Sequence, residues 1–414
     1  MSERERSVQG RAAGFTIGRA WFLLFSLMIL AGAATFLVGI SGAHSLRAWQ
    51  AYLTNYVFWT GLACGTFLFS PLLTMTGARW GRPLKRIAEA PGAFLPAAFI
   101  LFWVLYLGKE EIFPWIREPV PEKAVWLNAG FMFAREGIGI LALAAVGMAI
   151  LIHSVKGDLK MPLGPGDSGE AQRPQGHDVH FRAQGILSPI YGVLYGFILT
   201  LFAFDLIMSL DPHWYSTLFG AYFFTGSFYS GLAALVILAV IAVRRMGIGD
   251  IVSPKQFHDL GKLLLGFCLL TGDFFYAQFL VIWYGNIPEE TRYVVLRVNQ
   301  PPWEPLAWLV LVTAFGIPFA VLLSRRVKMK PIPMLVLSTL ILLAMWLERF
   351  LLVAPSLWKG RAIPLGWMDL VITAGFFGLV ALCTLGFLRR FPVLPVSDPL
   401  FQELLRTRRS GHEP

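Results

Sequence analysis

Hydrophobic positions in this chain come in long unbroken runs rather than in the alternation of strands or the one-sided spacing of soluble helices. Ten runs approach or exceed the roughly 20 apolar residues that cross a bilayer as a helix. They cover approximately 19 to 41, 52 to 76, 91 to 108, 129 to 153, 184 to 208, 217 to 243, 258 to 284, 304 to 325, 332 to 353 and 365 to 388. The pattern predicts an all-α, polytopic membrane protein with ten transmembrane helices. No remaining segment is long enough for a separate soluble domain, so residues 1–414 are expected to form one integral membrane domain.

The seventh run is less uniform than the rest. Within Phe257 to Thr291 it carries His258, Asp259, Lys262 and Asp273. At about 100° per residue, taking His258 as zero, Lys262 falls near 40°, Asp273 near 60°, Tyr276 near 0° and Tyr284 near 80°. At about 1.5 Å of rise per residue, that stripe runs roughly 39 Å, comparable to a bilayer with its headgroups. A charge at the membrane centre costs about 2.5 to 3.5 kcal/mol on the most lenient scale, so such residues are expected to face protein interior or water and to mark a pathway. Polar residues that only hold helices together are the alternative.

Composition agrees with the runs. The chain is 56% hydrophobic and 14% charged, with a mean hydropathy of +0.62, whereas soluble domains are about 25% charged. The net charge of +10 would suggest nucleic acid for a soluble protein, but no basic patch is interleaved with aromatics outside the runs, so no nucleic acid is expected as a partner. Instead, Lys and Arg concentrate in alternate loops. One set holds the N-terminal Arg4, Arg6, Arg11 and Arg19, then Arg79 to Arg86, Lys156 to Arg182, Arg244 to Lys255, Arg325 to Lys330, and Arg389 to Arg409. The alternate set holds only Arg47, then Lys109, Arg117 and Lys123, then Arg292 and Arg297, then Lys359 and Arg361. The positive-inside rule then places both termini in the cytoplasm, with membrane lipid around a multi-pass chain. The first run is longer than a signal-peptide core and is read as a retained helix.

The inside loop from Ser154 to Ala183 reads as flexible surface or as a docking segment. Pro189 is expected in a harmless first turn, whereas Pro71 and Pro318 lie deep enough to kink a helix and free carbonyls.

Further charges stand inside the runs: Arg135 and Glu136 in the fourth, Asp205 in the fifth, Glu348 and Arg349 in the ninth and Asp369 in the tenth. They cluster toward the outer half. Arg135 is available to Glu136 or Asp205, and Arg349 to Glu348 or Asp369. The acids outnumber these bases, leaving Asp273 as the carboxyl expected to lack a cation, which suits a group that takes up and releases protons. Cys64, Cys268 and Cys383 lie in hydrophobic runs without a CxxC, so no metal or iron-sulfur site is expected in this chain. His44, His177, His180, His213 and His412 fall in loops or tails. Only His153 and His258 remain, at the cytoplasmic edge, too few for bis-histidine haem.

The blocks FDLIMSLDPHWYSTLFGAYFFTGSF (Phe204 to Phe228) and HDLGKLLLGFCLLTGDFFYAQFLVIWYGNIPEET (His258 to Thr291) resemble those of the NrfD/PsrC-like membrane subunits of alternative complex III, a bacterial quinol:cytochrome c oxidoreductase. The ten-helix plan extends the resemblance over the whole chain. It implies two four-helix bundles, helices two to five (about 52–208) and six to nine (about 217–353), flanked by helices one and ten. Such a complex holds two subunits of this kind, ActC with the quinol site and the shorter ActF associated with proton translocation. The length here is closer to the ActF type. The resemblance further implies the bacterial cytoplasmic membrane, a second NrfD-like quinol-binding subunit, an iron-sulfur subunit and multihaem cytochrome c subunits. Haem and iron-sulfur clusters would sit in those partners, and this chain would catalyse nothing alone. Leu206, where an aromatic is common, and Gly272 with Asp273, in a stretch usually aromatic and uncharged, depart from the pattern.

The expectation is therefore a proton-conducting subunit with His258 and Lys262 at the inner mouth, Asp273 and Tyr276 midway, and Glu136, Asp205, Glu348 and Asp369 toward the outside. Arg135 and Arg349 would be the charge partners. The alternative places menaquinol or another quinol in this chain, near Asp205, His213 and Arg135. A secondary transporter is a third reading, disfavoured because only one acid sits at mid-depth.

Overall fold

The computed structural model describes residues 18–42, 44–159 and 176–409. Arg4, Arg6, Arg11, Lys160, Arg173, His412 and the centre of the long inside loop lie outside the described residues. Within them the chain is helical, with no strand. Ten helices are long and apolar enough to span a membrane: α1 (Arg19–Ile40), α2 (Ser45–Met75), α3 (Arg82–Leu107), α4 (Ala129–Leu159), α5 (Val179–Leu210), α6 (Phe219–Met246), α7 (Pro254–Gly285), α8 (Glu304–Leu323), α9 (Pro331–Leu357) and α10 (Trp367–Arg390). The protein is thus an all-α, multi-pass integral membrane protein.

Lipid tails supply no hydrophobic drive between helices, so close packing of small residues and a few polar bonds decide which helices meet. The centre is made by α2 and α6, the two most buried helices. A Cβ on Gly65 would stand 2.4 Å from the carbonyl oxygen of Ser227, and one on Gly231 would stand 2.4 Å from the carbonyl carbon of Gly65. Backbone therefore lies on backbone. The Thr66 hydroxyl donates to Leu62 O at 2.8 Å and reaches Gly231 O at 3.2 Å across the same contact. Around this centre α2 packs with α3 and α5, α4 packs on α3 and α5, α6 packs with α7 and α9, and α8 lies against α7 and α9. Helices α1 and α10 pair with each other and lean on α2. Asn55 joins α2 to α9: its side-chain oxygen accepts from Trp59 Nε1 at 3.2 Å and Trp346 Nε1 at 3.0 Å.

Three expectations about prolines and boundaries change. Helix formation before α5 begins at Gly176, so Pro189 lies inside the helix, where it removes the bond to the carbonyl of Gly185. His180 is accordingly helical, and its Nδ1 meets His153 Nδ1 at 3.0 Å. Pro318 does free a carbonyl, that of Ala314, within a π-helical stretch, Leu311–Gly316. The Tyr229 hydroxyl donates to it at 3.1 Å, so the freed carbonyl is satisfied within the protein.

Candidate functional site

Asp205 lies in a π-helical turn, Ala203–Ile207, near the outer end of α5. The wider turn interrupts the regular ladder, a feature frequent at functional sites. Arg135 of α4 grips the carboxylate with both forks, Nε to Oδ2 and Nη2 to Oδ1, each at 2.6 Å. The Trp126 indole adds a third donor at 2.9 Å. The guanidinium also lies 4.0 Å from the Trp126 ring centroid and 4.7 Å from that of Phe131, so aromatic faces replace part of its lost water. Asp205 is fully buried.

Glu136, next in sequence to Arg135, is equally buried, yet neither carboxyl oxygen has a hydrogen-bond partner. Its electrostatic neighbours are Asp205 and Arg135, with Tyr56 of α2 alongside. Arg135 therefore chooses Asp205 and leaves Glu136 as a second acid with no cation of its own. The Tyr56 and Thr60 hydroxyls on α2 are likewise buried and unpartnered.

A second buried pair holds the outer part of α9. Arg349 Nη1 lies 3.1 Å from Glu348 Oε2, and the Tyr222 hydroxyl donates to Glu348 Oε1 at 2.6 Å. Arg349 also donates to Phe223 O at 3.1 Å and Ser227 Oγ at 3.3 Å. Asp369 does not share Arg349. It meets Arg47 at 3.4 Å and accepts the Gly366 backbone N–H at 2.9 Å, as an acid in the first turn of α10. The four acids predicted toward the outside thus fall into three separate settings.

The polar stripe of α7 takes an unexpected position. Lys262, Asp273, Tyr276 and Tyr284 are all exposed on the outside of the molecule, and Tyr276 is 61% exposed. Interior positions of α7 are instead filled by Phe257, Leu260, Leu264, Cys268 and Ile282. Only the inner end shows pairing among the predicted residues, with Lys262 on Asp259 at 3.0 Å and His258 Nδ1 at 3.7 Å from Asp259. Among the described residues Asp273 makes no hydrogen bond or ion pair. The buried face lies opposite the charges and includes Gly261, Thr271 and Gln278 as well as apolar residues, whereas Phe275 and Trp283 are exposed.

Sequence reasoning missed the most extensive buried charge cluster. It lies on the side opposite Asp205, where α3 opens with Arg82, Lys85, Arg86 and Glu89, all buried. Arg86 bonds Glu89 at 2.9 Å, Ser154 O at 2.9 Å and, by a very short contact, Asp158. Glu89 also accepts from Ser70 at 2.7 Å and from Ser154 at 2.9 Å. Arg82 and Lys85 converge on Asp398 of the C-terminal segment at 2.7 and 2.8 Å. Burial raises the Asp398 pKa, but Lys85 and Arg82 outweigh it and hold the carboxyl below its ordinary range. In the sequence these basic residues look like loop charges, because the apolar run begins only near residue 91. The Arg86–Glu89 spacing of three, directly before an apolar run, was the available signal.

Near Asp205 a cavity of about 410 Å³ is walled by Trp126, Phe204, Met208, Pro212, Trp214 and Tyr215. Trp214 is buried and its indole N–H has no partner. His213 stands exposed beside this cavity's Pro212 and Trp214 and is not part of its wall. Among the described residues no group of three or more His, Cys, Asp or Glu is placed to hold a metal ion. No protein-family model matches the chain, and no curated protein matches it.

Proposed function

We propose that this chain is a proton-conducting membrane subunit of a quinol-oxidising respiratory complex, of the NrfD/PsrC-like kind that its two long blocks resemble. The observation that supports proton conduction is a set of buried acids along α2. Glu89 sits near one end, bonded to Ser70. Glu136, with Asp205 next to it, lies beside Tyr56 near the middle of the helix. Ser70 and Tyr56 are fourteen positions apart in α2, roughly 21 Å along the axis. Between them lie Thr60 and Thr66, within about 120° of the same face. Chains of carboxyls and hydroxyls are what proton relays are built from.

In this arrangement Asp205 is pinned by Arg135 and Trp126 and sets the local field. Glu136, without a donor, is the group free to exchange a proton. Glu348, with Tyr222 and Arg349, makes a parallel station in the second helix group. Lys262, Asp273 and Tyr276 join such a path only where another chain covers the exposed side of α7. The respiratory assignment itself rests on the sequence blocks, and electrons would pass through partner subunits.

The test is the assembled complex in proteoliposomes. Glu136→Gln and Glu89→Gln are expected to lower proton uptake per electron at least tenfold while subunit content stays unchanged. Unchanged stoichiometry in both variants refutes the path along α2.

A second reading, that a quinol binds here, is favoured by the cavity beside Asp205. Its aromatic wall fits a quinone ring, and the buried Trp214 N–H and Asp205 supply polar ends. A photoreactive quinone that labels Trp126 or Trp214 supports this reading, and labelling confined to another subunit rejects it.

A further inference from the structure

Helix α7 is the least buried of the ten spans, and what it exposes follows a regular spacing. Lys262, Gly266, Leu269, Asp273, Tyr276, Leu280 and Tyr284 are all exposed, and at about 100° per residue they fall within roughly 80° of one another. The steps between them are four and three residues in turn as far as Leu280, which is the spacing of a seam between two helices. A Cβ on Gly266 would meet nothing within 4 Å, so this small residue opens a notch on the outside and is not needed for packing within the chain. Small residues beside one strongly polar residue are what drive helices together in lipid.

Asp273 decides what the seam accepts. It lies twelve residues from the outer end of α7 at Gly285, roughly 18 Å in, within the hydrocarbon layer. Lys262 is eleven residues away along the helix, roughly 16 Å, and is already held by Asp259 at 3.0 Å. A carboxylate at that depth must find a donor, and acyl chains have none.

We propose that this face of α7 is a docking surface for a transmembrane helix of a different chain, which presents a Lys or Arg to Asp273. A second copy of this chain fits poorly. A twofold axis along the membrane normal would bring Asp273 against Asp273 at the same depth, like charge on like charge. The inference draws on nothing in the proton-path reading and stands or falls separately from it.

The test places a photocrosslinking phenylalanine at Leu269 and at Leu280 in the full chain in its native membrane, with Val193, an exposed residue of α5, as control. The expected adducts at both α7 positions join one membrane-embedded segment of another protein, and peptide mapping finds a Lys or Arg there at the depth of Asp273. Asp273→Lys and Asp273→Leu are each expected to cut adduct yield at least tenfold, the leucine variant carrying no cost of inserting a charge. Changing the mapped basic residue to Asp should restore the adduct in the Asp273→Lys background. Adducts with lipid alone, with a second copy of this chain or with a segment lacking a basic residue overturn the proposal. So do yields unchanged by both substitutions.

Discussion

The Arg135–Asp205 pair permits a quantitative test of how this protein tolerates charge inside the membrane. Asp205 accepts two bonds from Arg135 at 2.6 Å and one from Trp126 at 2.9 Å, and its side chain is 0% exposed against 10% for Arg135. Removing one partner of such a pair costs about 3 to 5 kcal/mol, because the remaining charge stays buried without compensation. Asp205→Asn leaves the guanidinium with the Trp126 carbonyl at 3.1 Å and two aromatic faces, and should fall at the lower end of that range. Arg135→Met leaves two carboxyls, Asp205 and Glu136, side by side with no cation, and should reach the upper end. The double variant Arg135→Met with Asp205→Asn removes both charges and should cost less than the sum by about 2 kcal/mol or more, within the range seen for contacting residues. The measurement is a denaturant titration of the purified protein in mixed micelles, followed by tryptophan fluorescence, on wild type, both single variants and the double. Additivity within about 0.5 kcal/mol, or an Asp205→Asn variant more costly than Arg135→Met, would refute the reasoning.

Two other outcomes follow from the fold. Asp398→Asn should destabilise the protein by about 3 kcal/mol at pH 7, since Arg82 and Lys85 remain buried without it. Because the folded-state pKa of Asp398 is depressed below its ordinary 3.8, its contribution is complete well above that value and shrinks as pH falls through it toward the depressed one, so the gap between wild type and variant should narrow steadily as unfolding titrations are carried into acid. Gly65→Leu should prevent correct packing of α2 on α6, because its Cβ alone would lie 2.4 Å from Ser227 O. Monodisperse yield in detergent should collapse in that variant, whereas Gly185→Leu, with nothing within 4 Å of its Cβ, should be tolerated.

The helices were legible because lipid imposes a simple requirement on them: enough consecutive apolar residues and satisfied backbone bonds. Ends were less legible. Helix α3 starts at Arg82 because charged residues there find buried partners within the protein, and polar positions early in the helix leading into α5 do the same, as when Gln184 accepts from Lys85; a hydropathy run cannot register either. Arg135, Asp205, Glu348 and Arg349 stand out in the sequence because apolar neighbours leave them few alternatives to pairing. Their pairing was not legible. Asp369 turned to Arg47, a residue counted as a loop charge, because the turn before α10 brings the two together. The α7 stripe was correctly read as one face, but periodicity fixes only which residues share a face. Which face turns inward depends on the shape of neighbouring helices, and here that face includes Gly261, Thr271 and Gln278 while Phe275 and Trp283 stay outside.

The contact between α2 and α6 also limits how the molecule can move. A carrier that alternates access must let its halves pivot, and a pivot needs side chains that slide or re-pack across the junction. At Gly65 and Gly231 no side chain intervenes, and the Thr66 hydroxyl crosses to the opposite backbone. Any tilt there presses main chain into main chain. The junction behaves as a weld, so the rocking of two halves about this contact is not a motion the fold allows.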